Sequence, residues 1–354
     1  MKLDLIQFTS NAAIMMSMML IPNIAVSVGA DLTQVGAIGC VYGLCLFISS
    51  YLFSKAADAW NIKRLMVIGL ACSTIAYFLQ VFASDPLSLG LARGFLGICV
   101  GMYPAAMIMQ VHGMKRSIGK FISFGSLGWA AGFFGAGVIG VVSDYHIIFT
   151  ASALIMVVSF VVALTLPDVS VPRIPVRYLS LDTVRANWAI YLSFMLRHTG
   201  ATAIWTIFPL YMVDLRANAL WIGIVYAINP LMQFFTMRRL DNMDMAKIVR
   251  YGYLISAIAF LSFIPPTIFY YMVPGMILVA LSWSFLYVGS TELLLRTNRD
   301  KAAAAGLITS VVSLSSVIGS LIGGVVSHNF GFTSVFLVAS SLSFIGFLIS
   351  VRYS

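Results

Sequence analysis

The sequence predicts an all-α integral membrane protein, with twelve transmembrane helices in two six-helix bundles related by a pseudo-twofold axis along the membrane normal. Three observations predict it: a composition too apolar for water, uncharged runs about 20 residues long, and confinement of the cations to one side. Of 354 residues, 60% are hydrophobic and 9% charged, with a mean hydropathy of +0.98. A soluble domain carries about 25% charged residues. This chain cannot clothe a surface in water, so its solvent is largely lipid.

The spans follow in order. Lys2 precedes an apolar run over 5–28 that is too long for a signal peptide and has no clear small-residue cleavage site. Uncharged runs then cover 33–54, 65–84, 121–143, 147–167, 217–237, 302–327 and 329–351. The runs 86–111 and 186–213 are apolar except for Arg93 and the pair Arg197–His198. The uncharged stretch 251–291 is too long for one helix, and Pro265–Pro266 and Pro274 are expected to divide it by removing backbone donors. Period-two alternation is absent, which excludes a barrel.

Threading these spans with the amino terminus inside puts every lysine and arginine except Arg93, Arg197 and Arg216 on the cytoplasmic side. Arg93 and Arg197 fall within spans, and Arg216 in an outer loop. This is the asymmetry the positive-inside rule demands. It predicts a multi-pass protein of the cell membrane with both termini cytoplasmic, and it assigns the net charge of +9 to topology rather than to nucleic acid. Cys40, Cys45, Cys72 and Cys99 lie in apolar runs with no metal or haem spacing and read as packing residues. No cofactor is expected, and the chain is expected to be monomeric in the bilayer. It carries neither a Walker-type phosphate loop nor a nucleophile elbow, so no enzyme is predicted.

The two halves repeat. Pro22 precedes Gly36 by the same spacing as Pro209 precedes Gly223, an offset of 187 residues, and the run beginning at Gly140-Val141-Val142-Ser143 mirrors Gly324-Val325-Val326-Ser327 at an offset of 184. The expected division is an amino-terminal bundle over 1–167, a proline-bearing cytoplasmic linker over 168–187 and a carboxy-terminal bundle over 188–354.

After the second span comes Ser54-Lys55-Ala56-Ala57-Asp58, followed by Asn61, Lys63 and Arg64. This resembles the loop signature of the major facilitator superfamily: a glycine, an aspartate four residues on, then a glycine and a basic cluster. Asp58, Lys63 and Arg64 match, while Ser54 and Asn61 replace the glycines. Arg238, Arg239 and Asp241 echo it in the second half, and Arg93 four residues before Gly97 resembles that superfamily's fourth-helix motif. The fifth span is glycine-rich but lacks the proline of the antiporter subgroup. The resemblance implies secondary transport of a small solute by alternating access. It also implies a latch of loop charges at the inner gate, with Asp58 in one half and Glu292, paired four residues on with Arg296, in the other.

Charges at membrane depth are expensive and usually face a cavity or a partner. Arg93, Arg197 and His198 qualify. On the functional reading they line a basic cavity between the bundles that draws in a polar or anionic solute. On the structural reading the arginines tie helices together and His198 is a neutral packing group. His198 titrates near neutrality when unperturbed, which makes it a proton-coupling candidate together with Asp4 at the inner start of the first span. Asn11, Tyr226, Asn229, Gln233 and Trp283 are further candidates for the solute path, or else ordinary helix–helix contacts. The rival expectations are proton-driven export of amphiphilic drugs, suggested by 13% aromatic residues and 19 methionines, and a non-transporting membrane scaffold or sensor.

Overall fold

The computed structural model describes residues 1–59, 61–116, 118–142, 144–169, 181–240, 243–298 and 301–352, with backbone alone at 54–59, 112, 118–120, 181, 295 and 301–306. Six helices form the first half: α1 (Lys2–Ser27), α2 (Leu32–Ala59), α3 (Ile62–Leu79), α4 (Pro86–Val111), α5 (Ile118–Val142) and α6 (Tyr145–Leu164). A short helix, Leu181–Ala186, precedes the second six: α7 (Trp188–Asp214), α8 (Ala219–Met237), α9 (Met245–Leu261), α10 (Met272–Thr297), α11 (301–330) and α12 (332–350). Among the described residues nine stretches are long and apolar enough to span a bilayer, one of them the 44-residue Leu307–Ser350. That stretch holds two spans. With α7, which carries Arg197 and His198, and α9, which is 17 residues long, the twelve expected spans are present.

Local chemistry sets the breaks. Pro22 opens the second segment of α1 after an interruption at Leu20, because its nitrogen cannot donate to the preceding turn. Pro104 restarts α4 after Tyr103 in the same way. Asp85 caps α4 through a reciprocal box with Ser88. Asp244 caps α9 through the backbone N–H of Lys247, which holds its carboxyl below the usual carboxylate range. That contribution is present above the ordinary carboxylate pKa and is lost as pH falls through the depressed one. The separation of α9 from α10 differs in detail from expectation. Pro274 sits in the first turn of α10, where a missing N–H costs nothing, so the break lies upstream around Pro265 and Pro266. Gly331 turns α11 into α12 with φ of +78°, a conformation that a side chain resists.

Helices α1–α6 form one bundle and α7–α12 the other. The bundles meet along α2 with α11 and α5 with α8, with a smaller contact of α7 on the Ile21–Ser27 segment of α1. These crossings reveal the symmetry. A Cβ on Gly36 would lie 2.6 Å from the Ser320 carbonyl oxygen, and one on Gly223 would lie 2.5 Å from that of Phe133. A Cβ on Gly324 would lie 2.6 Å from the Leu32 oxygen, and one on Gly137 would lie 2.9 Å from that of Ala219. Inside the bundles, Gly132 abuts the Ala12 carbonyl and Gly319 abuts that of Thr199. Every residue in these three pairs of contacts maps onto its counterpart by the single offset of 187. The 184-residue match of Gly140 with Gly324 is therefore out of register by nearly one turn: the packing counterpart of Gly324 is Gly137.

The two ends of the molecule differ. Lys2 donates to the Thr165 carbonyl just past α6, and Arg250 donates to the carbonyls of Ser350 and Val351 at the end of α12. Because the start of α2 abuts the end of α11 at Gly36 and Gly324, the start of α1 and the end of α12 share the opposite face. In the half away from that face a single apolar core runs through both bundles, from Met16, Ile24 and Val35 to Ile204, Phe208 and Ile222. In the half towards it the cores are separate, one around Leu65, Leu70 and Val111 and another around Phe194, Val249 and Leu286. The bundles are packed together at the far face and parted towards the face that bears the termini.

Candidate functional site

The separate cores of the two bundles place the candidate cleft between them, with α1 and α7, which meet at the far face, as its walls. Asn11 and His198 lie half-buried on these helices and are counterparts under the 187-residue offset. On the amino-terminal wall the Trp129 Nε1 donates to Asn11 Oδ1 at 2.7 Å, and Asn11 Nδ2 donates to the Gln7 carbonyl at 2.8 Å. Gln7 is half-buried one turn below Asn11, against Gly125. Its own amide makes no hydrogen bond to a described residue.

Aromatic rings form the opposite wall. The His198 ring lies 5.0 Å from Trp283, and Trp283 stacks on Tyr287 at 5.4 Å with 18° between planes. Phe194 backs Trp283 at 5.7 Å. Neither ring nitrogen of His198 is hydrogen-bonded to a described residue, and only Nδ1 is fully buried. Tyr226 belongs to the closed end. Its ring crosses the bundle interface to Phe133 at 5.0 Å, with Phe208 at 5.5 Å and Trp205 at 5.9 Å, and its hydroxyl donates to the Trp205 carbonyl at 3.5 Å. Asn229 and Gln233 pair with each other along α8, Gln233 Nε2 donating to Asn229 Oδ1 at 2.6 Å.

The two intramembrane arginines do not share a space. Arg93, 3% exposed, is enclosed by its own bundle: Nη1 donates to Ser17 Oγ at 3.5 Å and to Gln80 Oε1 at 3.4 Å, and the guanidinium lies 4.3 Å over the Tyr42 ring. Arg197, 2% exposed, is enclosed by the other. Its Nε donates to Ser256 Oγ at 2.8 Å and its Nη2 to Ser282 Oγ at 3.2 Å, while Ser256 and Ser282 bond to each other. Phe260 and Trp283 flank the Arg197 guanidinium at 5.4 and 5.5 Å. Serine oxygens and ring faces replace a counter-ion in both cases. Each arginine ties together helices of one bundle.

The charges near the termini are paired locally. Asp4 accepts from Arg116 at 2.6 Å and lies 2.8 Å from the α-amino group. Glu292 pairs with Arg296 at 2.8 Å along α10. Arg238 lies 3.8 Å over the Phe234 ring. Arg64 and Arg239 are exposed, and Lys63 is half-buried. The Asp58 side chain and the whole of Asp241 lie outside the described residues. Asp4 is the buried member of its pair, with 10% of its side chain exposed. Asp4→Ala should cost about 1–3 kcal/mol, read as a lower thermal-unfolding midpoint in detergent, while Asp85→Ala, which removes only an exposed cap, should cost less.

Sequence reasoning missed Gln7 and Trp129 on the cleft wall and Ser256 and Ser282 beneath it. Gln7 lies one helical turn from Asn11 but near the end of the span, and the contact of Trp129 with Asn11 emerges only from the packing of α5 on α1. The serines carried no signal, because a lone serine in a hydrophobic helix is commonplace.

A sequence profile described as the Major Facilitator Superfamily matches residues 3–297. No curated protein matches the chain. Solved structures similar to it include the nucleoside transporter NupG, 15% identical, with a TM-score of 0.83 over 100% of this chain and 99% of that one. A bacterial homologue of the human lysosomal transporter Spinster, in an inward-facing and occupied conformation, is 12% identical, with a TM-score of 0.79 over 99% and 95%. The human organic anion transporter MFSD10 is 14% identical, with a TM-score of 0.73 over 99% and 98%. At these identities the likeness is one of fold.

Proposed function

This chain belongs to the Major Facilitator Superfamily, and on that premise we propose that it is a secondary transporter that carries a small, uncharged polar organic solute through the cleft between its bundles by alternating access. One observation carries the reading: the core is continuous across the bundles at one end and divided at the other. This is the arrangement expected of a solute path open to one face and sealed at the other. Opening the sealed end would expose its apolar surface to water at roughly 25 cal/mol per Å². The exchange is reversible only if the opposite end closes in compensation, which is alternating access. The charge map supports a cytoplasmic position for the termini-bearing face, and on that reading this state is inward-open.

The solute class follows from what reaches the cleft. The two arginines suggested an anion, but each is enclosed and bonded within its own bundle. A carboxylate stripped of water without a direct cationic partner is costly. The groups that line the walls are amides, rings and an imidazole. Among the described residues no carboxylate lies on these walls, which leaves His198 as the group available for proton coupling and separates it from Asp4, held by Arg116 near the termini.

The purified protein in proteoliposomes tests this. Saturable uptake of an uncharged polar solute, accelerated by the same unlabelled solute on the opposite side, is expected. Acceleration by an imposed pH gradient should be lost in His198→Gln and retained in Asp4→Asn. Uptake confined to organic anions, or efflux confined to amphiphilic dyes, contradicts the solute class. No movement of any solute contradicts transport and favours a scaffold.

A further inference from the structure

We propose that the solute is built on a planar, uncharged heteroaromatic ring, which stacks on the Trp283–Tyr287 platform and is hydrogen-bonded at its edge by His198 and Gln7 from opposite walls. The inference rests on the transport reading and narrows it to one chemical class.

The platform is the first argument. Trp283 and Tyr287 are one turn apart on α10 with their rings nearly parallel, and Tyr287 is 38% exposed. In an apolar span, rings that fill space pack edge-on and tilted, as Phe208 does against Tyr226 at 83°. The near-parallel pair continues from His198 and ends at the exposed Tyr287 ring, which on this proposal faces the cleft, and a flat face selects a flat partner.

Polarity at the rim is the second argument. The Gln7 amide, towards the terminal end of α1, and the imidazole of His198 make no hydrogen bond to a described residue, and His198 Nδ1 is buried without a partner. Asn11, beside Gln7, is in contrast fully engaged by Trp129 and the Gln7 carbonyl. An amide offers a donor and an acceptor side by side, and a neutral imidazole offers one of each. The edge of a heterocycle with alternating carbonyl and N–H groups satisfies both. A pyranose can lay a C–H face on the rings, but its rim of freely rotating hydroxyls lacks the fixed, in-plane donor–acceptor edge that these two groups match.

Charge is the third argument. Arg197 lies 5.5 Å from the Trp283 ring but is 2% exposed, with its Nε and Nη2 bonded to serines. It makes the platform electropositive from behind without offering a contact. A cationic ring is therefore repelled, and an anionic one gains no direct salt bridge.

Equilibrium binding to the detergent-purified full chain tests the proposal, with uracil and nicotinamide as probes, glucose as the uncharged non-planar control and benzoate as the planar anion. Uracil or nicotinamide should bind and glucose and benzoate should not. Trp283→Ala and Tyr287→Ala should each weaken binding about tenfold. Trp283→Phe, which keeps a ring, should stay within about threefold of the parent. Because Trp283 also packs on Phe194, the more exposed Tyr287→Ala is the decisive variant if Trp283→Ala does not fold. Glucose or benzoate binding in preference to both heterocycles overturns the solute class, as does binding of the heterocycles unaffected by Tyr287→Ala. Proteoliposome uptake of a sugar with no heterocycle binding overturns this inference and leaves transport standing, whereas no uptake of any solute removes both.

Discussion

Gly324→Leu is expected to leave both bundles folded and to lower transport at least tenfold. The added Cβ would sit 2.6 Å from the Leu32 carbonyl oxygen and 2.8 Å from the Gly36 Cα. Both atoms are backbone, and both belong to the other bundle. No rotamer relieves the clash, so α11 and α2 must separate. Overpacking costs roughly 1–3 kcal/mol, and each 1.4 kcal/mol is a tenfold change in population, so the sealed far face becomes a minor state. Gly223→Leu, on the counterpart crossing of α8 with α5, should do the same, because its Cβ would meet the Phe133 oxygen and the Gly137 Cα. Gel filtration and circular dichroism should match the parent, while solute counterflow in proteoliposomes should fall. Parental counterflow in both variants would remove the far-face crossings from the mechanism.

Gly132→Leu and Gly319→Leu are expected to prevent folding. They are counterparts, and their added Cβ atoms would fall on the carbonyls of Ala12 and Thr199. These contacts lie within a bundle, α5 on α1 and α11 on α7. Helices in lipid gain little from excluding water and associate through close van der Waals contact between small residues, so a side chain that holds them apart removes the main attraction. The expected outcome is aggregation or proteolysis in place of a monodisperse peak. The two pairs of glycines thus separate two roles of one residue type: within a bundle the close approach makes the fold, and between bundles it makes the state. A Gly132→Leu protein that elutes and transports as the parent does would contradict this division.

The fold was readable from the sequence because lipid imposes a coarse rule. Length of apolar run and side of charge suffice to place twelve spans, and errors stayed within about two turns, as at the start of α9 and the end of α10. The repeat was readable in kind and misjudged in register. Gly-Val-Val-Ser recurs by local composition, whereas the packing equivalence of Gly137 and Gly324 depends on which backbone each glycine touches. Of the candidate residues, Asn11, His198 and Trp283 lie on α1, α7 and α10 in the half where the two cores are separate, and Tyr226 packs across the bundles at the far face. Arg93 and Arg197 were visible as costly charges, but their direction was not. Whether a guanidinium faces a cavity or a neighbouring helix is decided by Ser17, Gln80, Ser256 and Ser282, which are distant in sequence and unremarkable in type. Gln7 was overlooked because it sits near the end of the first span, where a polar residue needs no explanation.

The most direct measurement is side-specific labelling of a single cysteine in the cleft. Cys40, Cys45, Cys72 and Cys99 are replaced by alanine, Asn11→Cys is introduced, and Gly39→Cys with Ser320→Cys supplies a cross-link at the far face, where a Cβ on Gly39 would lie 3.1 Å from that of Ser320. After oxidation, a membrane-impermeant maleimide should modify residue 11 from the side that bears the termini and leave it untouched from the other. Modification from the far side with the cross-link intact, or protection from both, would contradict a cleft open at one end and sealed at the other.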